Sequence, residues 1–146
     1  MSAKLLKENL KPVSKSKAQS GNNFVISNEN EVEIPKINFE AIKNSALGPN
    51  YELSLIFTDQ EKIKKLNLIY RDKNAPTDIL SFPISDNEGE IYISLEEAKK
   101  EAKKFDREYE NFIGFLFIHG CVHLKGHDHG STMENIEVKL RDKFNI

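Results

Sequence analysis

The chain has 146 residues and a formal net charge of -2, with 38% hydrophobic and 30% charged residues. That is apolar enough for one core and short enough for one domain, which excludes wholesale disorder. No apolar run reaches the ~20 residues of a membrane-spanning helix, and the slightly acidic balance excludes binding of nucleic acid through overall charge alone.

The first 23 residues differ in character from the rest. Lys4, Lys7, Lys11, Lys15 and Lys17 face only Glu8 among acids, which predicts a flexible basic extension over 1–23 and a single domain over 24–146. No apolar stretch of secretory-signal type follows the start. Cys121 is the one cysteine, so an internal disulfide is excluded and a reducing, cytoplasmic setting is expected.

In chain order, Phe24-Val25-Ile26-Ser27 reads as a short strand. Ile37 to Leu47 reads as an amphipathic helix ended by Gly48-Pro49. Tyr51 to Thr58 alternates as a strand does, and Asp59 can cap a helix that runs through Tyr70. A polar loop, Arg71 to Pro76, leads into a strand over Thr77–Phe82 that Pro83 is expected to stop. The cluster Ser85–Gly89 reads as a turn, and Glu90–Ser94 as the second arm of a hairpin. Ser94 and Glu97 form an S-x-x-E start for a surface helix, Leu95–Phe105. Asp106 is the expected cap of the next helix, apolar all round from Phe112 and therefore buried. Gly126 ends it, and Ser131-Thr132 is expected to cap a last helix to about Phe144. The fold class is α+β: a small mixed four-stranded sheet with about five helices around a buried central helix.

All four histidines fall in His119-Gly120-Cys121-Val122-His123-Leu124-Lys125-Gly126-His127-Asp128-His129. His119 and His123 are an i, i+4 pair, so their rings share one helix face, ~6 Å apart along the axis. Gly126 lets the backbone turn and bring a third ligand back to the pair. Three imidazoles with an open fourth position make a catalytic zinc site. For the third ligand His127 and His129 compete, and Asp128 is a further candidate ligand or supporting partner. The spacing from His119 to His129 matches that of metzincin peptidases, but the glutamate that would activate water there is replaced by Gly120. Gly120 implies a close approach to that point of the helix. Cys121 points ~200° from His119 and reads as core.

HGCVHLKGHDH resembles the H-G-x-x-H-L-x-G-x-D-H signature of the YbeY family of rRNA maturation factors. Asn67, Tyr70-Arg71 and Pro76-Thr77-Asp78-Ile79-Leu80-Ser81-Phe82-Pro83 resemble that family's N-x-x-(Y/F)-R and P-T-D-V-L-S-F-P block, and Gly89-Glu90-Ile91 its G-D-I. The likeness covers roughly Phe24 to Phe144. It implies a zinc-dependent, single-strand-specific endoribonuclease that matures rRNA, notably the 3′ end of the small-subunit 16S rRNA, and serves ribosome quality control. Its metal ligands become His119, His123 and His129, with one Zn(2+) per chain. Arg71 and His119 become the catalytic residues, with Arg71 also binding substrate. The implied partners are single-stranded RNA, rRNA, the small ribosomal subunit and ribosomal proteins, without a membrane. Two departures stand out: His127 replaces the usual aromatic residue, and Glu90 the usual Asp.

Asp78 or Asp128 is expected to orient a ligand imidazole through its second nitrogen. Arg71 can fork two N–H groups onto a phosphate, or pair with Asp72 or Asp78. Tyr70, Phe82 and Tyr92 are candidates to stack on bases, with the core as their competing place. Lys62, Lys64, Lys65, Lys73 and Arg71 form a basic group before the third strand. Two other functions compete: a metalloprotease-like hydrolase, and a ribosome-assembly binding factor with a structural metal.

Overall fold

The structure, a computed structural model, describes residues 23–30, 32–126 and 130–146. The basic extension expected over 1–23 lies outside them up to residue 22, as do His127, Asp128 and His129.

Four strands form one sheet: β1 (Phe24–Asn28), β2 (Glu52–Thr58), β3 (Ile79–Ser85) and β4 (Glu88–Ser94), in the order β1-β2-β4-β3. β1 and β4 flank β2 in parallel, and β3 pairs with β4 antiparallel. The described helices are α1 (Phe39–Leu47), α2 (Gln60–Arg71), α3 (Leu95–Lys104), α4 (Tyr109–Leu124) and α5 (Ser131–Phe144). This is the expected α+β architecture with a mixed four-stranded sheet and the expected hairpin.

Local chemistry sets most boundaries. Asn38, Asp59 and Ser94 cap α1, α2 and α3, accepting from the backbone N–H of Ala41, Lys62 and Glu97. Three expectations need correction. β3 runs through Pro83 to Ser85. It is an edge strand, and Pro83, opposite Gly89, turns its missing N–H away from the ladder, where no donor is needed. Asp106 does not cap α4. It adopts φ 54° at the end of α3, where Arg107 N–H donates to Ala102 O at 3.0 Å, a left-handed closure incompatible with an extended cap. α4 starts instead at Tyr109, with no side-chain cap. Ser131 is the first residue of α5, and Gly130 holds the cap position with no side-chain bond.

The sheet is covered on both faces. On one side α2 brings Ile63 and Leu66 against Ile56, Leu80, Phe82 and Tyr92. On the other, α4 lies among α1, α3 and α5, with Phe112, Ile113, Phe117, Ile118 and Cys121 wholly buried. Each such large apolar side chain contributes about 1.5–3 kcal/mol by leaving water. From Phe112 to Leu124 only Phe115, His119 and His123 stay half-buried. Their four-residue spacing is one stripe of the helix, and it is the stripe that carries the histidines.

Candidate active site

A cavity of about 350 Å3 opens beside that stripe, lined by Arg71, Ile79, Leu80, Ser81, Pro83, His119, His123 and Leu124. The end of α2, the edge strand β3 and the last turns of α4 meet there. The histidine rings stand 4.8 Å apart between centroids, crossed at 87°.

α4 reaches the sheet closely because of Gly120. A Cβ at that position would lie 3.0 Å from Ile79 Cδ1, Ile91 Cδ1 and Ser81 Oγ. The close approach expected at Gly120 is therefore made by side chains of the sheet. A glutamate at this position would collide with side chains of β3 and β4, two of which, Ile79 and Ser81, also line the cavity. Cys121 is fully buried, and burial pushes its thiol well above the usual range.

Arg71 is exposed, yet its guanidinium is held. Nη2 donates to Ser81 O at 3.0 Å and Nη1 to Tyr70 O at 3.3 Å. The group also stacks over Phe82, 5.1 Å from the ring centroid. Among the described residues it forms no ion pair with Asp72 or Asp78. Two backbone carbonyls thus fix the fork, and among the described residues no carboxylate pairs with its charge.

His119 has its partner on α5. Its Nδ1 lies 3.0 Å from Glu137 Oε1, and Arg141 Nη1 is 3.9 Å from the same oxygen. Sequence reasoning missed Glu137, although a signal was present. It lies between Met133 and Leu140, which α5 buries, and a carboxylate in an apolar stripe needs a polar partner. Asp78, one of the two expected orienting residues, is not among the cavity's lining residues. Its carboxyl is pushed up by burial and then by nearby Glu101.

The proposed aromatic contacts lie largely in the core. Tyr92 is 0% and Phe82 5% exposed. Tyr92 O–H donates to buried Glu90 at 3.1 Å, and Tyr70 packs on Phe82 at 4.8 Å. In the basic group, Lys62 is paired with Glu29 at 3.0 Å.

The donor chemistry fits zinc as far as it is described. Two imidazoles on one helix face the same cavity, and one is backed by a carboxylate, the usual arrangement behind a ligating histidine. Among the described residues no group of three or more His, Cys, Asp or Glu converges on one point. His129, expected as third ligand, and His127 and Asp128 lie outside those residues.

The family model described as Endoribonuclease YbeY matches residues 16–144. The chain belongs to the endoribonuclease YbeY family. Membership makes it a hydrolase of the nuclease class. The protein named Endoribonuclease YbeY in Syntrophomonas wolfei is 33% identical over 151 residues, covering 84% of this chain and 97% of that one. Its namesake in Aquifex aeolicus is 40% identical over 108 residues, covering 69% and 71%. A solution structure of TM1509 from Thermotoga maritima matches with a TM-score of 0.57 at 26% identity, over 73% of this chain and 79% of that one. The YbeY match begins at residue 16, ahead of β1 and inside the expected extension. Among the described residues, no helix is long and apolar enough to cross a membrane.

Proposed function

We propose that this chain is a zinc-dependent endoribonuclease that cleaves single-stranded rRNA, maturing the 3′ end of the small-subunit 16S rRNA and serving ribosome quality control. The observation that carries the reading is the meeting of Arg71 with the His119–His123 pair on the walls of one cavity. His119, His123 and His129 would hold the zinc. Bound there, it would supply a Lewis acid that lowers the pKa of water to ~7 or polarises a phosphate oxygen.

The protein's own groups do the rest. Arg71 presents a guanidinium already fixed by Ser81 O and Tyr70 O, so little ordering is needed when a phosphate arrives. Its remaining N–H groups stabilise charge that develops on the phosphate oxygens in the transition state. His119, tied to Glu137, keeps one ring orientation. The Arg71 guanidinium on the cavity wall supports a polyanionic substrate despite the net charge of -2. At about 350 Å3 the cavity stands at the small end of ligand pockets, suited to one nucleotide of an extended strand and not to a duplex.

The test is metal removal. Purified protein stripped by a chelator is expected to lose cleavage of labelled single-stranded RNA and to regain it with zinc at one equivalent. It should leave duplex RNA of the same sequence intact throughout. Cleavage that survives complete zinc removal contradicts the metal-dependent reading.

A further inference from the structure

We infer that Glu137 is a positioning residue that holds the proton of His119 on Nδ1 and thereby turns the Nε2 lone pair toward the cavity. The inference rests on the zinc reading above and deepens it.

Glu137 occupies the core-facing stripe of α5, with Met133 one turn before it and Leu140 one turn after, all three buried. An aliphatic residue would fill that place at no electrostatic cost. A carboxylate there loses most of its hydration, which is costly unless strong hydrogen bonds replace the water. Its Oε1 receives one from His119 Nδ1 at 3.0 Å, while the Arg141 guanidinium, 3.9 Å from the same oxygen, favours the carboxylate as acceptor. An acceptor on that side requires the hydrogen to sit on Nδ1. A neutral imidazole carries one hydrogen, so Nε2 is then the nitrogen with the lone pair. Isolated imidazole side chains in water prefer the opposite tautomer, with Nε2 protonated and unable to ligate. The contact on α5 therefore selects the minor solution form, and it also fixes the rotation of the ring whose edge lines the cavity.

The experiment compares full-length wild type, Glu137→Ala and Glu137→Gln. Two-bond 1H–15N correlation spectra of the metal-free proteins at slightly alkaline pH report which ring nitrogen of His119 is protonated. Zinc affinity is measured separately by competition with a chromophoric chelator. Wild type is expected to show Nδ1–H. Glu137→Gln, which keeps an acceptor oxygen, should largely retain it, and Glu137→Ala should shift to Nε2–H. Zinc affinity should fall about 10–100-fold in Glu137→Ala, the usual cost of removing such a partner, and much less in Glu137→Gln. Nε2–H in wild type, or the same tautomer and affinity in all three proteins, overturns the inference. If Glu137→Ala does not fold, the wild-type and Glu137→Gln spectra decide alone. A wild type that binds no zinc yet shows Nδ1–H, retained in Glu137→Gln, refutes the metal reading and upholds the positioning role.

Discussion

At Arg71 the decisive contacts are with the backbone. Its two hydrogen bonds run to Ser81 O and Tyr70 O, and its flat face rests on Phe82. A lysine could reach one carbonyl but has neither the fork nor the plane. Arg71→Lys is therefore expected to melt within about 0.5 kcal/mol of wild type, as exposed substitutions do. Cleavage of single-stranded RNA should nevertheless fall by ~100-fold or more, the scale of losing one preorganised donor. Unfolding curves and single-turnover rates on the same preparations check both halves. The sequence pointed to Arg71 through its family motif, but not to what holds it. A bond to a main-chain oxygen on an edge strand leaves no mark in residue types. His119 and His123 were legible because an i, i+4 pair follows from helix geometry alone. Glu137 was not, because its role appears only when α5 is laid against α4.

At the scale of elements, the contact between α4 and the β3–β4 hairpin sets the depth of the cavity. Gly120 leaves no room there, with three side-chain atoms 3.0 Å from the place of a Cβ. Gly120→Val forces those neighbours apart and is expected to destabilise the fold by about 1–3 kcal/mol. The shift of β3 should also reduce RNA cleavage beyond what lost stability explains. Denaturant unfolding with activity measured well below the transition would show it. The elements themselves were mostly legible, since strand alternation, the Asp59 and Ser94 caps and the all-apolar α4 are local signals. Pro83 misled because a proline stops a central strand and not an edge strand, and edge status depends on sheet order. Asp106 misled because the same residue type serves as a cap or as a left-handed terminator. Lys43 escaped notice in the same way. It lies buried on α1, its amine donating to Pro49 O at 3.1 Å, and burial lowers its pKa.

Across the whole molecule, all four tyrosines are pushed above the ordinary phenol value of 10.0, chiefly by burial, and Tyr51 reaches about 12. A group whose folded pKa is raised favours folding fully below its unfolded value, and that favour is lost as pH rises through the folded value. Stability should therefore decline as pH climbs from about 10 toward 12. Tyrosine absorbance should report ionisation together with loss of helix and not before it. Tyr51→Phe should soften the decline. A chain with a net charge of -2 is also expected to concentrate its RNA affinity at the cavity wall that carries Arg71. The measurement that tests the central claim most directly is cleavage of a labelled single-stranded RNA by wild-type, Arg71→Ala and His123→Ala proteins purified identically. We predict that wild type alone cuts, while all three remain folded. Equal cutting by all three, when a mock purification from cells lacking the protein cuts nothing, or no cutting by a zinc-loaded wild type, which would favour a binding factor, contradicts an active site built from Arg71 and the histidine pair.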